Sequence, residues 1–178
     1  MKITLIAAIS VNGKMTDGDQ PDVRVWTSPE DDAVMAEQLA AHRLLVMGRK
    51  TYEAVRPRLK LSMNKQRIIL THTPSAWQDQ AVPGKLEFTD ESPEQIVQRS
   101  EAAGHDAMLI VGGGYVNAAF MAAGLVDELY ITVEPVVFGA GVPLFEGALP
   151  TTALRLLEAK TLNERGTHLL HYVVMRER

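Results

Sequence analysis

Apolar residues run almost unbroken through Lys2–Ile9, Arg43–Met47, Arg67–Leu70 and Met108–Val111. Short runs rich in Ile, Leu and Val, without polar alternation, predict strands covered on both faces. Between them the spacing predicts helices. Ser28 is a good N-cap, Pro29 fits the first helical position, and Asp31 stands three residues past the cap as in a capping box, so a helix is expected from Pro29 to about Ala41. Ser92-Pro93-Glu94-Gln95 repeats that pattern and opens a helix that Gly104 ends, and Tyr115–Ala123 reads as a third helix closed by Gly124. Leu86–Phe88 is a short edge-like strand, and Glu128–Glu134 is a strand limited by Pro135. Leu154–Leu162 and Thr167–Met175 alternate and are joined by Asn163-Glu164-Arg165-Gly166, the pattern of an antiparallel hairpin. Ser10–Arg24 and Asp79–Lys85 carry no periodicity and read as loops, the first long enough to serve as a lid. Strands alternate with helices and a hairpin closes the chain. That order predicts an α/β fold across residues 1–178, one domain with a mostly parallel sheet and an antiparallel C-terminal edge.

Composition narrows the chemistry. The chain has 178 residues, 46% hydrophobic and 22% charged, which suits one domain with a full core. It has no cysteine, so disulfides and thiolate chemistry are excluded. A net charge of -4 offers no basic footprint for nucleic acid, and no run is long enough to span a membrane. MKITLIAAIS passes into a polar loop rather than a cleavage site, so it reads as a first strand, and a cytoplasmic protein is expected. His168 and His171 stand three apart on a predicted strand and face opposite ways, so the five histidines suggest no metal site. There is no GxSxG elbow and no Walker lysine motif.

Two places pair a strand end with glycine and a helix start. One is Val111-Gly112-Gly113-Gly114-Tyr115-Val116; the other is Gly48-Arg49-Lys50-Thr51. Helix N-termini present unpaired N–H groups and a positive dipole end, and glycine lets an anion come close. The GGG spacing is not the GxGxxG of dinucleotide-binding Rossmann folds, and a tight turn without a ligand fits it as well. Glu30-Asp31-Asp32 has a plain reading too, as first-turn acids favoured by the helix dipole.

The stretch GLVDELYITVEPVVFGAGVPLF closely resembles the C-terminal signature of the riboflavin-pathway pyrimidine reductases, the RibD C-terminal domain family. SVNGKM and WTSPE resemble segments of the same family, and MGRKTYE is nearly the MGRxTWE motif of dihydrofolate reductase, which shares its fold. The resemblance implies a dihydrofolate-reductase-like three-layer fold, with a mixed, mostly parallel central sheet flanked by helices. It implies an NADPH-dependent reductase of a small heterocycle or ribosylaminopyrimidine, acting as a homodimer. The implied cofactor contacts are Ala8, Gly48, Arg49, Lys50, Thr51, Thr71, His72, Val111, Gly112, Gly113, Gly114, Tyr115 and Val116. Among these Arg49 reaches the 2′-phosphate, Thr51 and the GGG turn take the pyrophosphate, and the loop after the first strand closes over the nicotinamide. Counting back from Gly48 by the dihydrofolate reductase spacing makes Asp32 the carboxylate that holds the substrate, with Thr132 supporting it. Asp32 as a helix-dipole acid and Thr132 as an ordinary strand residue are the alternatives. The zinc deaminase domain of the bifunctional riboflavin enzyme has no counterpart in this sequence. Dihydrofolate or another pterin is the second substrate reading, and a protein that binds NADPH without turnover is the third.

Overall fold

A computed structural model describes residues 1–176. Eight strands form one sheet: β1 (Lys2–Ser10), β2 (Leu44–Gly48), β3 (Gln66–Leu70), β4 (Leu86–Thr89), β5 (Ala107–Ile110), β6 (Glu128–Glu134), β7 (Leu154–Thr161) and β8 (His168–Val174). Their order across the sheet is β4-β3-β2-β5-β1-β6-β8-β7. β1 to β6 run parallel, and β8 and β7 add an antiparallel edge, as the hairpin pattern predicts. Four helices accompany them: α1 (Pro29–Ala41), α2 (Arg49–Val55), α3 (Pro93–Ala102) and α4 (Gly114–Ala122).

The unbroken apolar runs have a direct cause. Ile3 and Leu5 of β1 pack into one core with Ile96 of α3 and Phe120 of α4. Ile6 faces the other way and packs with Leu45, Leu109 and the α1 residues Val34, Met35 and Leu39. A sheet covered on both sides has no solvent face to make its strands alternate. α3 begins with a full capping box, Ser92 and Gln95 bonding each other's backbone N–H. Gly124 takes φ +67 one residue past the C-cap of α4, the left-handed conformation glycine adopts without steric cost.

Two local expectations differ from the structure. The capping box at α1 is incomplete: Ser28 Oγ accepts the Asp31 N–H at 3.3 Å, but the Ser28 N–H goes to Glu134 Oε1 at 2.7 Å, so Asp31 does not return the bond. And Pro74–Gln80 forms a 3-10 helix, shortening the expected loop; it seats Trp77 flat against Phe88, with ring centroids 5.7 Å apart, and covers the β4 edge. The opposite edge is bare. Every residue of β7 is exposed, including Leu154, Leu156 and Leu157.

The loop that follows β6 reaches back to the start of α4. Glu146 N bonds Gly114 O at 3.0 Å, and a Cβ on Gly114 would stand 2.5 Å from Pro143 O. Gly114→Ala therefore forces backbone apart and is expected to cost about 1–3 kcal/mol, read as a lower urea midpoint with an unchanged slope; an unchanged midpoint would show that the loop yields freely.

Candidate active site

The chain leaves β5 at Ile110 and turns through Gly112, at φ +92, and a cis Gly112–Gly113 peptide. Gly113 then caps α4 without any side chain to satisfy the first N–H groups. Gly48 does the same for α2, next door at the end of β2. The two turns touch: Gly48 N donates to Gly112 O at 2.8 Å, and a Cβ on Gly48 would sit 3.7 Å from Gly113 N. Two helix starts with free donors thus share one spot at the carboxyl ends of parallel strands. That is where α/β sheets take phosphates.

These turns open on a cavity of about 1270 Å³. Ala8, Gly48, Arg49, Lys50, Thr51, Thr71, His72, Val111, Gly112, Gly113, Gly114, Tyr115 and Val116 all line it, as does Asp32. His72 meets Tyr115 edge to face with centroids 5.9 Å apart. Arg49 is paired with Glu53 at 2.5 Å and lies 5.8 Å over the Trp77 ring. A group the size of a dinucleotide fits this space, and the glycines leave room where a Cβ would intrude: at Gly113 it would come within 3.3 Å of Thr51 Oγ1. The structure puts positive φ at Gly112, while Gly113 has φ −78, so a side chain at Gly113 would crowd the turn without straining it.

A second acid of the first turn of α1, not assigned a role by the resemblance, also lines the cavity. Asp32 lines the cavity but is exposed, whereas Asp31 lines it and is buried. Asp31, not Asp32, lies against Thr132, itself buried on β6 opposite Ala8 of β1. A signal for this exists in the sequence. Residues three and four apart share a helix face, and Asp31 is so spaced from Val34 and Met35, which pack on the sheet. The Asp31 carboxyl is shifted up to about 6. Burial is the main cause; hydrogen bonding from Thr132 opposes it, and the charges of Glu134 and Asp32 reinforce it. Glu134 is fully buried and takes the Thr167 hydroxyl at 2.7 Å as well as the Ser28 N–H. Among the described residues no group of His, Asp or Glu is arranged to hold a metal ion, and no helix is long and apolar enough to cross a membrane.

The sequence model of the RibD C-terminal domain matches residues 1–168. The uncharacterized protein YwjB of Bacillus subtilis (strain 168) is 32% identical over 131 residues, covering 72% of either chain. Among solved structures, a pyrimidine reductase-like protein from Corynebacterium diphtheriae superposes with a TM-score of 0.77 at 18% identity, over 99% of this chain and 92% of its own. A diaminohydroxyphosphoribosylaminopyrimidine deaminase/5-amino-6-(5-phosphoribosylamino)uracil reductase from Thermotoga maritima superposes with a TM-score of 0.75 at 18% identity, over 98% of this chain and 56% of its own. At such identities the structural matches establish the fold, with the sheet order and C-terminal hairpin described above.

The raised Asp31 carboxyl links stability to pH. Its ordinary value of 3.8 lies below its folded value of about 6, so the folded protein binds the proton more tightly than the unfolded chain. The stabilisation is complete below pH 4 and is lost as pH rises through 6. Asp31→Asn removes the titration. The stability of the variant relative to the parent is expected to climb by on the order of 2–3 kcal/mol between pH 4 and 7. Urea unfolding at several pH values reads it; parallel curves for the two proteins would show that Asp31 is not perturbed.

Proposed function

The chain belongs to the RibD C-terminal domain family, and from that premise we propose that it is an NADPH-dependent reductase of a small heterocyclic or ribosylaminopyrimidine substrate. The observation that carries this reading is the pair of uncapped helix starts at Gly48 and Gly113, on a cavity that the buried Asp31 also lines. When bound, the nicotinamide supplies the hydride. The protein's part is to bind, orient and manage a proton. In this reading the α4 N-terminus and Thr51 hold the cofactor's pyrophosphate, and Arg49, Thr71 and His72 surround its 2′-phosphate. Arg49 gives up its exposed pairing with Glu53 at small cost, since such a pair contributes about 0–1 kcal/mol, and a phosphate offers it charge-assisted bonds that a ribose hydroxyl does not.

Asp31 then acts as the acid. A carboxyl near 6 still carries its proton in part of the protein at neutral pH and can give it to a ring nitrogen as the neighbouring carbon is reduced. Thr132 and Glu134 support it: Thr132 by bonding its carboxylate, Glu134 by taking the Ser28 N–H that would otherwise occupy it. Asp32 lines the same cavity but is exposed, so its charge is screened by water and it is the weaker candidate for holding the substrate. A buried Asp–Thr pair also favours the second reading, a dihydrofolate or other pterin reductase, because in the dihydrofolate reductases such a carboxylate holds the amino-pyrimidine edge. We extend the proposal to a homodimer in which a second copy covers the bare β7 edge, an unpaired strand that proteins seldom leave open. Sedimentation at micromolar concentration should return twice the chain mass; a monomer there would remove this part.

The catalytic reading is tested by mixing the protein with NADPH and, in separate reactions, dihydrofolate or the aminopyrimidine ribosyl phosphate. Loss of nicotinamide absorbance with one of them identifies the substrate. Firm NADPH binding with neither consumed would favour a protein that binds the cofactor without turnover. Gly113→Ala tests the cradle itself. Its φ of −78 suits alanine, and the added Cβ meets only Thr51 Oγ1 at 3.3 Å. Stability should stay within about 0.5 kcal/mol while NADPH affinity falls at least about tenfold, the worth of one charged hydrogen bond. Unchanged NADPH affinity in a stable variant would end the phosphate-cradle reading.

A further inference from the structure

The loop between β1 and α1 supplies Met15, Thr16, Gly18, Asp19, Pro21, Val23 and Arg24 to the cavity wall, but its two halves are held in different ways. The first half is fixed to the loop after β6. Met15 N bonds Val142 O at 2.8 Å and Gly18 N bonds Ala140 O at 3.0 Å. The Asn12 side chain donates to Phe138 O at 2.7 Å and accepts from Phe138 N at 3.1 Å. Gly141 lies so close that a Cβ there would stand 1.9 Å from Thr16 O. Beyond Gly18 these bonds stop. Among the described residues, the hydrogen bonds that tie residues 19–25 to anything outside this loop both come from Arg58: Nη1 to Asp22 Oδ2 at 3.1 Å, and Nη2 to Asp22 Oδ1 at 3.3 Å. The remaining bonds are internal. Asp22 caps the 3-10 turn Val23–Val25 by accepting from Arg24 N, and that turn buries no residue. The chain is fastened again where Trp26 meets Phe138 edge to face, with centroids 5.1 Å apart, and where Ser28 N reaches Glu134.

Residues 19–25 thus line the cavity between two anchors, and one ion pair joins them to another lining segment, Ala54, Val55, Arg58 and Leu59. Arg58 is the fixed partner. It ends the 3-10 turn Arg56–Arg58 that continues α2, and α2 is held by Tyr52, buried against Trp77 and Phe88. The pair itself is half open to water, with Arg58 37% and Asp22 30% exposed, so solvent and salt compete for it. A contact of that strength can hold a segment that buries nothing of its own, and can also release it. We propose that Asp22 and Arg58 are positioning residues: their ion pair holds residues 19–25 as a strap over the cavity, and its release lets ligands in and out. The proposal rests on the reductase reading for its ligand, NADPH, and goes beyond it in naming the part that moves and the contact that holds it. The anchors set where motion stops. Gly18, at φ +56 where the bonds to the loop after β6 end, is one hinge, and Trp26 is the other. Residues 11–18 stay in place although the same loop carries them. Val25 stands three residues before Ser28, the cap of α1, so the strap borders the turn that carries Asp31. Its closure keeps water from that end of the cavity.

The chain has no cysteine, so labels go only where they are placed. Spin labels at Gln20→Cys on the strap and Lys60→Cys beside Arg58, both exposed positions, read the separation of the two segments. The parent should give one narrow distance at low salt. Arg58→Gln and Asp22→Asn should each add a longer one, and raising the salt should do so in the parent. Asparagine keeps the ability to cap Val23–Val25, so Asp22→Asn isolates the charge from the cap. Arg24→Gln removes the other cation beside Asp22, but that residue rides on the strap, so the distance should stay as in the parent. Labels at Val11→Cys and Lys60→Cys should keep one distance throughout. The NADPH dissociation rate, by stopped-flow fluorescence, should rise about two- to fivefold in Arg58→Gln or Asp22→Asn, the worth of an exposed ion pair. The double variant should rise no further, because the second change finds the pair already broken. A single unchanged distance in both variants, a Val11 label that moves with the strap, or rate effects that multiply in the double variant would each overturn the proposal. A parent that binds no NADPH would overturn the reductase reading instead, and the distances would still decide the strap.

Discussion

Glu134 ends β6 with no exposed surface, and both its oxygens take neutral donors: the Ser28 N–H at 2.7 Å and the Thr167 hydroxyl at 2.7 Å. Burying a carboxylate is costly, and charge-assisted bonds to well-placed donors recover part of that cost. The result is a three-way junction. It pins the first turn of α1, the far end of β6 and the turn between β7 and β8. Asn163 strengthens it by donating to Glu30 Oε2 at 2.9 Å and to the Thr167 hydroxyl at 3.0 Å. The most important consequence falls on a neighbour. Because Glu134 takes the Ser28 N–H, the third helical residue need not fold back as a cap, and the Asp31 carboxyl is free to face the cavity beside Thr132.

The rest of the site follows from parallel strands. Each strand of β1, β2, β3 and β5 delivers its chain to the same rim, so Ala8, Gly48, Thr71 and Gly112 arrive together although they are far apart in sequence. Packing decides what is possible at that rim. Gly48 and Gly112 are locked by a backbone bond, Gly114 is closed off by Pro143, and Gly113 accepts the Asn117 N–H through its carbonyl at 3.0 Å. The donors of α4 are therefore held in place before any ligand arrives, the condition under which fixed dipoles hold an anion without rearrangement. The cavity is polar at this rim and apolar over Leu45, Met35 and Leu39, a division suited to a molecule with a charged end and a flat ring.

Legibility in the sequence tracked how local each cause was. Strands buried on both faces declare themselves by unbroken apolar runs, so β1, β2, β3 and β5 could be read within a residue or two of their ends. The hairpin showed by its alternation, and the glycine turn by composition. The 3-10 helix at Pro74–Gln80 does not show, because a helix of seven residues is too short for periodicity and is held by Trp77 against Phe88 on another element. Asp31 reads as a capping residue because its spacing from Ser28 is right for one. What displaced it is Glu134, over a hundred residues away, which no local pattern reveals. Arg67 was harder still. An arginine opening a short strand after Asn64-Lys65-Gln66 looks like a solvated flank. Only the closing of β2 and β4 on either side and the passage of Lys60 overhead bury it.

The contrast between Arg49 and Arg67 shows how the same residue type does two jobs in one cavity. Arg49 is over a third exposed, paired with Glu53 and laid across Trp77, so its charge is already screened and shared. Moving it onto a phosphate gives up a contact of little worth and gains charge-assisted bonds. Arg67 has given up its hydration on folding and keeps one protein acceptor, the Lys60 carbonyl. The two cations are therefore held by different forces: Arg49 by pairs for which water competes, Arg67 by the strands β2 and β4 that close on either side of it.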